Sequence, residues 1–154
     1  LTDGRVFTKD DVNGNVAGGS FFQSPFQYRL TLVGCPPRPG EYTIEMEDSF
    51  GDGWQSTTAG AGPGIKLFLD GELSREFGIC ADPSQEEWCT GSGFSATDTF
   101  TIPEGVQDAT WIFPGDFWGE MSFTILGPED QVVFSSGTGA QGEGEFFVVL
   151  CALQ

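Results

Sequence analysis

The chain has no histidine among its 154 residues. That removes Ser-His-Asp and Cys-His catalysis and every histidine-ligated metal. Bases are scarce: six Lys and Arg stand against 23 Asp and Glu, a formal charge of −17. Phosphate binding needs clustered Lys and Arg, so nucleic acid is excluded as a partner, and anionic membrane surfaces are disfavoured for the same reason. No apolar run is long enough to span a bilayer, so membrane insertion is not expected. No two cysteines form a CxxC pair, which argues against zinc and thioredoxin-type chemistry. There is no Asn-x-Ser/Thr sequon, although Ser and Thr remain open to O-linked sugars. The chain starts at Leu1 without a leader-like segment, so a processed product or a piece of something longer is expected.

What is present points to a β-rich domain with an aromatic core. Fifteen Phe against two Met imply stiff packing, and the 23 Gly are scattered through turns without collagen periodicity. So acidic a chain repels itself unless salt or bound cations offset the charge. A merely soluble acidic surface is the competing explanation. The four cysteines, Cys35, Cys80, Cys89 and Cys151, are even in number, which in this setting reads as two disulfides and a secreted address. Three pairings are possible. The expected one joins Cys80 to Cys89 across a short loop and Cys35 to Cys151 between an early strand and the last.

Residues 1–20 carry turn signals at Asp3-Gly4, Asp10-Asp11, Asn13-Gly14 and Gly18-Gly19 and read as an N-terminal arm, either an assembly element or an ordinary start. Residues 21–154 read as the folded domain. Alternation predicts strands over Phe26–Leu32, Glu41–Glu47, Ile65–Leu69, Glu72–Gly78, Ser95–Ile102, Ala109–Phe113, Glu120–Leu126 and Gln131–Ser135. Asp70-Gly71 is a hairpin signal. Gln55–Gly64 reads as a loose, Gly-rich loop, and Phe146–Leu150, apolar at every position, as a central or fully covered strand. Eight to ten short strands and no helix make the expected fold an all-β antiparallel sandwich, jelly-roll-like, with two disulfides.

Asp48-Ser49-Phe50-Gly51-Asp52-Gly53-Trp54 interrupts this pattern just after a strand. Gly51 and Gly53 can adopt positive φ, so the backbone can curl and aim carbonyls and carboxylates at one point, as a hard cation requires. The spacing is not that of an EF-hand, since Phe50 and Ala59 fill positions where that loop needs acids. The proposed ligands are Asp48 and Asp52, joined by Asp116 and Glu120 if the two loops meet. Oxygen-only donors favour Ca²⁺ over transition metals. The bland alternatives are an acidic turn with a buried Trp, and a Glu120 that caps or solubilises a strand start.

The same heptapeptide resembles the D-S-[FY]-G-D-G-W signature of secreted β-sandwich modules found in extracellular multidomain and surface proteins. Gly115-Asp116-Phe117-Trp118-Gly119-Glu120-Met121-Ser122-Phe123 is similar to the second segment of that family, G-x-W-x-x-E-x-[SW]. The resemblance spans roughly Gly40 to Val149. It departs from the family at Gln55-Ser56, where an Asn-Gly turn is usual. It implies a sandwich fold and an extracellular address, and no activity.

Three further chemistries compete. Glu45 and Glu47 lie on one face of a strand, but they do not form the Glu-x-Asp-x-Glu pattern of sandwich glucanases. A carboxylate-based glycosidase is thus the least favoured reading, and the chain is not expected to be an enzyme. The four Trp are candidate sugar platforms; Trp54 and Trp118, in loops, are the better ones, unless they fold back to cover the sandwich end. Adjacent aromatics at Phe21-Phe22 and Phe146-Phe147 suggest a face covered by another protomer, or a core buried within one chain. The combined expectation is a secreted, calcium-binding structural or adhesive module. It would serve as a subunit or repeat of a surface filament or assembly, self-associating or binding other extracellular proteins. A carbohydrate-binding module is the alternative.

Overall fold

A computed structural model describes residues 17–19, 22–23, 36–58, 62–82, 84 and 88–149. The expected strand at Phe26–Leu32, the cysteines Cys35 and Cys151 with their expected bridge, Phe21 and most of the N-terminal arm lie outside them. The chain divides into two compact units, Leu1–Val33 and Gly34–Gln154. In the first, β1 (Ala17–Gly19) pairs antiparallel with β2 (Phe22–Gln23), with Ala17 opposite Gln23.

The second unit is all-β. It contains β3 (Gly40–Asp48), β4 (Ile65–Leu69), β5 (Glu72–Phe77), β6 (Ser95–Ile102), β7 (Ala109–Phe113), β8 (Met121–Leu126), β9 (Val132–Ser135) and β10 (Gly144–Phe146). These form two four-stranded antiparallel sheets, ordered β10-β7-β4-β5 and β6-β3-β8-β9.

Alternation explains why the sheets stack. Successive side chains of a strand point to opposite faces. On β3, Tyr42, Ile44 and Met46 are buried while Glu41, Glu45 and Glu47 face solvent. On β8, Met121, Phe123 and Ile125 are buried, and on β4 Ile65 and Leu67 are fully so. The inward residues of both sheets form one cluster, which gives a sandwich-like unit. Its centre is aromatic. Trp111 meets Phe77, Phe100 and Phe146 at ring-centroid distances of 6.1, 5.3 and 6.0 Å. Phe123 stacks on Phe113 at 5.6 Å.

Turn chemistry matches the sequence closely. The β4–β5 hairpin turns at Asp70 (φ 50°) and Gly71 (φ 84°), both left-handed as a type I′ turn requires. The Asp70 carboxylate also accepts the backbone N–H groups of Gln107 and Asp108, tying this turn to the approach to β7.

Two expectations differ. The apolar stretch beginning at Phe146 is not a central strand. β10 is a three-residue edge strand, with Phe146 and Val148 turned inward while Phe147 is 80% exposed. Outward apolar residues on a sheet edge mimic the pattern of a strand covered on both faces. Gln55 and Ser56, read as part of a loose loop, are buried, and the Ser56 hydroxyl donates to the Pro63 carbonyl at 2.8 Å.

The Cys80–Cys89 disulfide is formed. Its loop is held by backbone bonds as well: Cys80 N donates to the Gly91 carbonyl at 2.8 Å and Thr90 N to the Gly78 carbonyl at 3.0 Å.

Candidate functional site

Topology brings the two acidic loops together. β3 and β8 are adjacent and antiparallel, and Asp48 at the end of β3 lies opposite Met121 at the start of β8. The motif loop therefore leaves the sheet where the β7–β8 loop enters it. Ser49 N donates to the Glu120 carbonyl at 3.1 Å and Phe117 N to the Gln55 carbonyl at 3.0 Å, which joins the loops on both sides.

Each loop is built around one carboxylate. Asp48, 2% exposed, accepts three backbone N–H bonds: Phe50 (3.0 Å) and Gly51 (2.9 Å) on Oδ1, Gly53 (2.7 Å) on Oδ2. Asp116 does the same for its own loop, accepting from Gly119 (2.7 Å) and Glu120 (3.1 Å) on Oδ1 and from Met121 (2.9 Å) on Oδ2. The two loops thus use one device twice: an aspartate at or shortly after the end of a strand, with the following backbone curled around it. Gly53 completes the first curl. At φ +98° it lies so close to the disulfide loop that a Cβ would sit 2.4 Å from Ala81 N. Trp54 then folds inward, with its N–H donating to the Ile79 carbonyl at 2.7 Å and its indole N–H to the Glu47 carbonyl at 3.0 Å.

The curled loops bring carboxylate oxygens of Asp48, Asp52 and Glu120 within 4.8 Å of one another. Asp116 is outside that trio but close enough to act on Glu120. Burial raises the Glu120 pKa above the ordinary carboxylate range, and the charges of Asp48, Asp52 and Asp116 push it the same way. No base among the described residues offsets this. The bases among the described residues are Arg38, Lys66 and Arg75, which pair with Glu129, Glu76 and Asp98.

The donor set fits a hard divalent cation. A carboxylate offers about four lone-pair positions, so Asp48 and Asp116, each with three N–H partners, both keep one free. Asp52 is exposed and Glu120 half-buried, so the oxygens of both are within reach of an ion arriving from solvent.

The other sequence candidates fall into different environments. Trp54 is 4% exposed and packed against Phe123, with no face to offer a sugar. Trp118 is 59% exposed, edge-on to Phe117 at 4.9 Å, and lines a narrow cleft with Asp48, Asp116 and Glu120. Phe50 and Phe94, each 68% exposed, stand around the same loops: the Phe94 ring lies against Gly51, and its carbonyl accepts Asp48 N. Sequence reading did not single out Phe94, because its place beside the motif follows from the β3–β6 pairing. Glu45 and Glu47 face outward beside Ser122 and Thr124, and Glu47 accepts the Ser122 hydroxyl at 3.2 Å.

Fold and site together define an all-β, sandwich-like unit with a stapled loop and a carboxylate cluster at one end. No family model, curated protein or solved structure matches the chain.

Proposed function

We propose that this chain is an extracellular calcium-binding module with a structural or adhesive role, used as a subunit or repeat of a cell-surface assembly. The observation that carries the reading is the convergence of Asp48, Asp52 and Glu120, which no base among the described residues neutralises. Unpaired like charges held this close cost free energy in the folded state, and a Ca²⁺ ion, which takes six to eight oxygen ligands, turns that cost into binding. Asp116 and backbone carbonyls of the motif loop would complete its shell. Because the ligands come from two loops, the ion pins one to the other. The disulfide and the resemblance of the motif to secreted modules support the extracellular address.

Calorimetric titration of CaCl₂ into the wild type and Asp52→Asn tests the reading. Binding in the wild type, weakened about tenfold or more in Asp52→Asn, is expected, with a fall in melting temperature on chelation. Absence of binding leaves an acidic turn and removes the reading. Light scattering tests the assembly: a monodisperse monomer with and without calcium counts against it.

A further inference from the structure

Away from the acidic loops, the edge strands β5 and β6 belong to different sheets and leave a crevice between them. It is an open groove of about 630 Å³, walled by Ser74, Arg75, Trp88, Thr90, Thr97 and Asp98. That volume falls in the range of small-molecule sites, about 300–1,000 Å³. We infer that this crevice is a binding cleft for a neutral saccharide, with Trp88 as the platform on which a sugar ring stacks.

Two observations carry the inference. The first is that Trp88 is held in place. Its six-membered ring rests on Gly64 and Gly78, where any Cβ would come within 2.9 and 2.6 Å of it. The disulfide and the Thr90–Gly78 backbone bond fix the chain on its C-terminal side. A half-buried indole seated on two glycines is pre-organised, so little ordering cost remains when a ring stacks on it.

The second is charge. In a chain of −17, the crevice wall is locally balanced: Arg75 donates to Asp98 at 2.8 Å across the gap, and Glu76 faces Lys66 at 4.0 Å while accepting Gly64 N at 2.8 Å. Among the described residues of the wall, a cation or an anion finds no uncompensated partner. A neutral ligand rich in hydroxyl groups finds a guanidinium that donates, a carboxylate that accepts and the Ser74 and Thr97 hydroxyls that do both.

The inference is independent of the calcium site, and the test separates them. The wild type is screened on an array of neutral oligosaccharides, including β-1,3- and β-1,4-linked glucans, mannans and galactans, and the best binder is titrated by calorimetry. At least one neutral saccharide is expected to bind, about tenfold or more weaker in Trp88→Ala. Because Trp88→Ala also removes packing, Arg75→Ala, at an exposed side chain, is the second variant and is expected to weaken binding severalfold with the fold intact by circular dichroism. Asp52→Asn and Trp118→Ala are expected to bind as the wild type does. The inference is overturned if no neutral saccharide binds at millimolar concentration. It is also overturned if binding survives both crevice variants, or is lost in Trp118→Ala instead.

Discussion

Asp48 and Asp52 differ by four positions and by nearly everything else. Asp48 is buried and accepts three backbone N–H bonds, so its first role is to fold the loop. Asp52 is exposed, and no hydrogen bond fixes its carboxylate to the loop backbone in the way Asp48 is fixed. Replacing Asp48 by Asn puts an NH₂ where an acceptor stood and leaves at least one N–H facing a donor. Charge-assisted bonds of this kind contribute about 1.5–3 kcal/mol each. Asp48→Asn is therefore expected to lose about 2–4 kcal/mol in chelator, read as a shift in urea midpoint. Asp52→Asn is expected to stay within about 0.5 kcal/mol of the wild type under the same conditions. Equal losses would contradict the division of labour.

Glu120 gives the opposite sign. Its pKa is raised in the folded protein, first by burial and then by Asp48, Asp52 and Asp116. Folding thus favours its protonated form, and its ionisation lowers stability as pH rises from the unfolded carboxylate pKa through the raised folded value. The penalty is fully present above that window and relieved below it. In chelator at pH 7, Glu120→Gln is expected to melt higher than the wild type, and the difference should vanish as pH falls below the carboxylate range. In calcium the order should reverse, since the variant loses a ligand. A lower melting temperature for Glu120→Gln in chelator at pH 7 would mean that its neighbours do not repel it.

Among the elements, β10 and the stapled loop show what alternation does and does not reveal. Phe146 packs on Trp111, Phe123 and Phe134, while its neighbour Phe147 is exposed. Phe146→Ala is expected to cost about 3–5 kcal/mol and Phe147→Ser less than about 0.5 kcal/mol in urea denaturation. Similar costs would restore the covered strand that the sequence suggests. The Cys80–Cys89 cross-link closes a loop with a separation of nine residues. Removing it as a Cys80→Ser/Cys89→Ser pair is expected to cost about 2–3 kcal/mol from chain entropy, with a red shift in Trp88 emission as that ring loses its seat.

The strands themselves were legible. β4, β6 and β7 start and stop where periodicity and turn residues say they should, because those cues are local. The acidic residues of the site were legible as types: two loops beside strands, one with Asp48 and Asp52 and one with Asp116 and Glu120. Their meeting was not, since it depends on β3 and β8 being neighbours across some seventy residues of chain. Trp54 shows the same limit. The sequence leaves open whether a tryptophan after Gly-Asp-Gly offers its face to a ligand or folds back, and the Ile79 and Glu47 carbonyls decide for the second. The β5–β6 crevice had no local signature at all, since it exists only where the edges of two sheets face each other.

For the whole molecule the issue is the −17 charge, which can be served in two ways. Diffuse screening by salt reduces repulsion everywhere and is indifferent to which cation supplies it. A bound ion acts at one place and depends on size and ligand geometry. Ionic strength separates them, because the Debye length shrinks to about 3 Å in 1 M salt. Raising NaCl to about that level should raise the melting temperature of the wild type and Asp52→Asn alike, as general repulsion is screened. Against this background, CaCl₂ at about a hundredfold its dissociation constant adds roughly 2.7 kcal/mol if it binds only the folded state. For a unit of this size that is a further rise on the order of 10 °C, expected in the wild type and largely lost in Asp52→Asn. The same concentration of Mg²⁺ should do much less, since it dehydrates reluctantly and demands near-octahedral geometry. If instead the calcium increment disappears in high salt, or is equally large in Asp52→Asn, calcium acts only as part of the ion atmosphere. The two curled loops would then be held without an ion, by the hydrogen bonds of Asp48 and Asp116 to the backbone and by the backbone bonds that join one loop to the other.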